Sequence, residues 1–237
     1  MKKLNHIAAV FWVIVFGILP GCATYRHSAE SIEAWVVDAD TNQPLEGVIV
    51  TANWQIEIGS ISGHGCCPEQ LMIMETVTGK NGRFYFPAWG PKAVKTRSPM
   101  PGLSEAYLGM DDPLILLFKN GYKYEALTNK HAVSKFEYWN LPVRQSDWNG
   151  KTVKMKKFRG TLKEYAQQLS FLRTDLGFAY NGQKCEWKLV PRMLVEQHKL
   201  KHFFREQNIY SSLLTIDDVP RQDKCGSAQE FFKDLLK

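Results

Sequence analysis

The chain has 237 residues and carries 30 Lys plus Arg against 24 Asp plus Glu, a formal net charge of +6. It is 44% hydrophobic and 23% charged, with 17 Gly, 11 Pro and 5 Cys. That composition excludes a disordered or collagen-like chain, and the cysteine share is too low for a disulfide-scaffold miniprotein. The length suits one large domain or a domain with a smaller companion.

The chain opens on Met1-Lys2-Lys3, followed by an apolar run from Ile7 to Leu19 broken only by Gly17. Thirteen residues of helix reach only about 20 Å, short of the roughly 30 Å hydrocarbon core, so the run reads as the apolar centre of a secretory signal. It closes on Leu19-Pro20-Gly21-Cys22, which resembles the lipobox of bacterial lipoproteins. The resemblance implies residues 1–21 as a cleaved signal peptide and Cys22 as the site of acylation, with membrane lipid as the partner it inserts into. Each buried methylene contributes about 0.8 kcal/mol, so two or more acyl chains anchor stably. Ala23 follows in place of the Asp that retains many such lipoproteins at the inner membrane, so the implied address is the cell envelope, at the outer membrane. Cleavage removes Lys2 and Lys3 and no acid, lowering the net charge to +4. The remaining basic residues are scattered apart from Lys151–Arg159, which reads as an edge strand with Lys on its open face. No nucleic-acid partner is expected.

Residues 22–31 read as a polar, lipidated tether. From Ile32 the pattern becomes β: Glu33–Asp38, then Gly47–Trp54, the second rich in β-branched residues. Met72–Thr78 and Arg83–Pro87 flank Gly79-Lys80-Asn81-Gly82, an Asn-Gly signal for a hairpin. Pro113–Phe118 meets Tyr122–Leu127 across Lys119-Asn120-Gly121, and further strands are expected near Ala132–Phe136 and Thr152–Lys156.

Val36-Val37-Asp38, the Asn42–Val50 turn and strand, the Thr76–Phe86 segment and the late Gly121-Tyr122 together resemble the carboxypeptidase regulatory-like domain. The resemblance covers roughly residues 32–128. It implies a mainly β fold, a seven-stranded transthyretin-like (prealbumin-like) antiparallel β-sandwich, here assigned to residues 32–158, with insertions at 55–71 and 88–112. Its motifs are turn and core signatures and hold no catalytic residue, so it implies an accessory binding or scaffolding module.

After Gly160 the pattern turns helical, giving a C-terminal segment over 159–237. Thr161-Leu162-Lys163-Glu164 is a capping box, and Leu162, Tyr165, Ala166, Leu169, Leu172 and Leu176 follow along one face. Pro191 opens a second helix through Met193, Leu194, Leu200 and Phe204, and Ser227-Ala228-Gln229-Glu230 opens a last one.

With Cys22 acylated, four cysteines remain, and export permits disulfides. Cys185 and Cys225 precede helices and pair best with each other; crossed pairing with the adjacent Cys66 and Cys67 is the alternative. His64, Cys66 and Cys67 can supply three ligands to a soft metal, while a Gly-rich loop with oxidised cysteines accounts for the same residues. His198 and His202 stand at i, i+4 with Glu206 a turn on, but Lys199 occupies the place of a zincin's Glu, so a solvated helix face is the expectation. Asp38–Asn42 begins like a calcium loop but lacks its Gly and bidentate Glu, and reads as a β-turn. The paired acids Asp111-Asp112 and Asp217-Asp218 read as turn or cap residues. Tryptophans at 35, 54, 89, 139, 148 and 187 suit packing, with glycan stacking as a second use. No nucleophile elbow, phosphate loop or dinucleotide fingerprint occurs.

The expectation is therefore a non-enzymatic, lipid-anchored envelope protein with no cofactor, binding an envelope protein or a glycan. The alternative from another class is an envelope metal-binding or hydrolytic enzyme using His64/Cys66/Cys67 or His198/His202.

Overall fold

The computed structural model describes residues 24–58, 66–95, 106–108, 111–130, 143–181 and 184–236. The signal peptide, Cys22, His64, Trp139 and the strand expected near Ala132–Phe136 lie outside them, as do the side chains of Cys66 and Cys67.

One sheet is built from β2 (Ile32–Asp38), β5 (Arg83–Phe86) and β10 (Thr152–Met155), in the order β10-β2-β5. The second contains β3 (Ile49–Ile58), β4 (Cys66–Val77), β8 (Leu114–Phe118) and β9 (Glu125–Leu127) in the order β4-β3-β8-β9, while β7 (Ala106–Leu108) pairs the far end of β3. The pairings are antiparallel except β10 with β2, which run parallel. Strict alternation along β2 buries Ile32, Ala34, Val36 and Asp38. The three apolar ones meet Val50, Ala52, Trp54, Ile115 and Leu117 of the second sheet in one cluster, so the two sheets form a sandwich.

The C-terminal segment comprises α1 (Leu162–Gln168), α2 (Ser170–Asp175), α3 (Gly177–Asn181), α4 (Pro191–Glu206) and α5 (Ala228–Phe232), with 3-10 turns at Glu186–Leu189 and Ile216–Asp218. It covers the outer face of the second sheet. Ile49, Ile73, Leu116 and Phe118 point away from the sandwich into a cluster with Tyr165, Leu169, Trp187, Met193, Leu194 and Phe204. This explains the unbroken apolar run of β8: Ile115 and Leu117 face the first sheet, Leu116 and Phe118 face the helices, and both faces are dry.

Three local expectations change. The segment read as a polar tether contains β1 (Thr24–Ala29), paired antiparallel with β6 (Trp89–Lys95) in a separate ribbon. Composition concealed it, because an exposed two-stranded ribbon needs no apolar alternation. The Asn81-Gly82 turn does not join a hairpin: β4 pairs with β3 and β5 with β2, so the turn carries the chain from one sheet to the other. Gly82 has φ +72, and a Cβ there would lie 2.3 Å from the Val36 carbonyl oxygen, so glycine serves both the turn and the close approach to β2. The stretch 55–71, read as an insertion, mostly extends the β3–β4 arm, with pairing continuing from Gln55↔Gln70 to Ile58↔Cys66.

The helix expected from Thr161 to Leu176 is broken at Leu169 and again at Leu176, each completely buried. Turning there keeps the leucines on the sheet while the chain wraps around it. The Thr161–Glu164 capping box forms with both of its hydrogen bonds, and at α5 the Ser227 side chain accepts from the Glu230 N–H. The β8–β9 hairpin and the edge position of β10, with Val153 and Met155 buried and Lys154 exposed, agree with the sequence pattern. Among the described residues no helix is long and apolar enough to cross a membrane.

Candidate functional site

Helix α4 is held by a side chain from the sheet. Its N-cap residue Val190 makes no side-chain cap. Instead the Arg192 and Met193 N–H groups donate to Glu75 Oε1 and Oε2 of β4, both at 2.9 Å. Two orphan donors of the first turn are thereby satisfied across the layer boundary, and the carboxylate complements the positive end of the helix dipole. Burial raises the Glu75 pKa above its ordinary value, against the pull of the two N–H groups and the Arg192 charge.

This docking places Arg192, Val195, Glu196 and Lys199, one face of α4, opposite the end of the second sheet. Between them lies a cleft of about 450 Å³, with buried Ile49, Phe118 and Val195 at its floor, and half-buried Lys119 and Glu196 and exposed Leu235, Asn120, Arg192 and Lys199 around it. That volume is in the range of small-molecule sites. Lys119 Nζ donates to the Glu46 carbonyl at 2.8 Å, and Lys199 pairs with Glu196 at 3.4 Å. Three cations face one carboxylate across an apolar floor. Cationic side chains beside an apolar surface suit holding an anion.

The histidine pair lies further along α4. Its rings are 4.3 Å apart, and His198 Nδ1 accepts from the Ile216 N–H at 3.2 Å. Both side chains are half-buried against the Ile216–Asp218 turn, which corrects the expectation of a solvated helix face. The third nearby ligand group is Asp217, not Glu206: one ligand atom from each of His198, His202 and Asp217 falls within 4.8 Å of the others. Burial, then the neighbouring His202, lowers the His198 pKa.

Cys185 and Cys225 lie at disulfide-bonding distance, with Cα atoms 5.5 Å apart and a separation of 40 in sequence. The bond ties the start of the Glu186–Leu189 turn to the approach to α5, where Trp187 packs on Phe231 and Phe232. For the sequence-predicted soft-metal group, the structure shows that Cys66 and Cys67 open β4, with Cys66 opposite Ile58. Trp54, Trp89 and Trp187 are buried and serve packing, while Trp35 and Trp148 are half-buried, Trp148 donating its Nε1–H to the Thr128 carbonyl.

The Asp38 turn forms as expected: Asp38 Oδ1 accepts from the N–H groups of Asp40 and Thr41. Asp218 caps the Ile216 turn through Thr215 as expected, whereas Asp112 Oδ2 accepts from the Gln55 N–H of β3, a tie between distant segments, and Asp217 stands beside the histidines. Sequence reasoning missed Glu75 and the cleft. The one signal for Glu75 was a lone acid inside the apolar run Met72–Val77.

No family model matches this sequence, and no curated protein matches it. Among solved structures, the chain is similar to 3-chlorocatechol 1,2-dioxygenase from Rhodococcus opacus 1CP at 15% identity and a TM-score of 0.28, covering 58% of this chain and 62% of that one. It is also similar to a 9R-lipoxygenase from Cyanothece PCC8801 at 10% identity and a TM-score of 0.23, covering 87% of this chain and 28% of the other. The chain thus spans less than two thirds of the length of either, and likenesses this low carry no argument about activity.

Proposed function

We propose that this chain is a non-enzymatic binding or scaffolding module of the cell envelope, anchored at the outer membrane through acylated Cys22. Its sandwich is of the transthyretin-like, carboxypeptidase regulatory-like kind. Support for that fold reading comes from two of its sequence signatures, Asp38 and Tyr122, which meet in space through a hydrogen bond.

The observation that carries the binding reading is the cleft between α4 and the second sheet, with its apolar floor and the cationic rim of Lys119, Arg192 and Lys199. Those features suit an acidic envelope ligand, because a desolvated floor strengthens the attraction of rim charges for an anion. In cells, a photo-crosslinking residue at exposed Asn120 is expected to capture a partner, and Lys119→Glu with Arg192→Glu is expected to abolish the capture. Capture that survives this charge reversal overturns the cleft as the binding surface. Anchoring is tested separately: Cys22→Ser is expected to release the chain from the membrane fraction, and a variant still bound and processed as before overturns the anchor.

A further inference from the structure

We propose that His198, His202 and Asp217 form a site for one divalent transition-metal ion that prefers nitrogen and oxygen ligands, of the zinc or nickel class, bridging α4 and the Ile216–Asp218 turn. The i, i+4 spacing puts both imidazoles on one face of a 16-residue helix. The 3-10 turn brings a carboxylate to the same point, and the Thr215–Asp218 capping box holds that turn in shape. Ligand atoms around a tetrahedral zinc stand about 3.3 Å apart, given bonds of about 2.0–2.1 Å. The ligand atoms lie within 4.8 Å of one another, so binding requires the side chains to rotate toward a common point. Three protein ligands leave a coordination position for water, and the half-exposed setting gives an ion a path in.

The hydrogen bonding has one gap that an ion fills. His202 Nε2 is buried and has no hydrogen-bond partner, a costly condition for a ring nitrogen. Two contacts oppose capture. His198 Nδ1 accepts from the Ile216 N–H, so coordination through Nε2 moves the ring proton from Nε2 to Nδ1 and gives up that bond. Arg205 donates from its guanidinium to His202 Nδ1, so coordination through Nε2 likewise moves that ring's proton to Nδ1 and gives up the bond, and the displaced guanidinium leaves a positive charge beside the ion. On the favourable side, the Asp217 carboxylate stands beside both rings. Arg205 is exposed and free to swing out, so the site is a metal trap with a cation at its door. From this follows an effect that a merely packed histidine pair does not show: neutralising Arg205 strengthens metal binding.

The test is calorimetric titration of Zn²⁺ into the detergent-solubilised, untagged protein after chelator dialysis, repeated with Co²⁺ and read by absorption. The expected result is one ion per chain and a Co²⁺ spectrum without a thiolate charge-transfer band. His202→Ala is expected to weaken binding at least about tenfold, because even outer-shell changes cost that much in known sites. Asp217→Asn, an exposed and structurally mild change, is expected to weaken it by a smaller factor, and Arg205→Gln to tighten it. Urea midpoints of the metal-free variants confirm that they fold. Absence of binding overturns the proposal, as does a thiolate band, or an affinity unchanged by His202→Ala, Asp217→Asn or Arg205→Gln.

Discussion

Asp38 Oδ2 accepts a hydrogen bond from the Tyr122 hydroxyl at 2.9 Å, across 84 positions of sequence. Asp38 ends β2 of the first sheet, and Tyr122 stands in the turn after β8 of the second. Lys157 Nζ approaches the same carboxylate at 3.6 Å, and the Lys157 backbone bridges Tyr122 where the chain passes from β10 toward the helices. The carboxylate thus fastens one end of the sandwich from three directions.

The Thr41 N–H, then the Tyr122 hydroxyl, hold the Asp38 carboxyl well below the usual carboxylate range, while burial and the Asp38 charge push Tyr122 up to about 12. A depressed folded pKa contributes stability that is complete above the ordinary value of 3.8 and lost as pH falls through the depressed one. Tyr122→Phe removes one of the donors, so it is expected to lower the urea midpoint at neutral pH and to lose less stability on acidification than the parent. Equal acid sensitivity in parent and variant contradicts the assignment.

Glu75 reports the docking of α4. Glu75→Ala leaves two N–H groups without an acceptor and is expected to cost about 1–2 kcal/mol, the usual scale of a lost cap. Because its folded pKa is raised above 4.5, Glu75 makes stability fall as pH rises through that window. Glu75→Gln keeps one acceptor and flattens that slope. Chemical denaturation at a series of pH values checks both effects.

Cys185–Cys225 closes 40 residues, and removing such a constraint costs about 3–4 kcal/mol in the loop-entropy account. The Cys185→Ser, Cys225→Ser pair is expected to lower stability by that order. Trp187 fluorescence is the local reporter, since its ring packs on Phe231 and Phe232 beside the bond.

Gly82→Ala is expected to destabilise by more than about 1 kcal/mol, because it adds a Cβ at positive φ against backbone. At Gly121, φ is +81 but no atom lies within 4 Å of the place a Cβ would take, so the strain there is conformational alone and the loss smaller. Comparing the two midpoints separates close approach from turn geometry.

Sequence by itself determined the strands whose neighbours are local or whose faces are chemically distinct. β2 alternates, the β8–β9 hairpin closes on Gly121, and Pro191 and Thr161 mark helix starts. It also narrowed the disulfide to Cys185 and Cys225 as the preferred pair, and explained Asp38 as a turn residue. Tertiary structure alone decided what depends on surfaces far apart in the chain. The Asn81-Gly82 signal marks a tight turn but not which sheet each flanking strand joins, since that choice rests on the faces waiting to be covered. The same holds for the cleft, whose walls come from stretches far apart in sequence, and for Asp217, brought beside His198 and His202 by the packing of one short turn on α4. Periodicity records which face of an element is apolar; only packing says what that face meets.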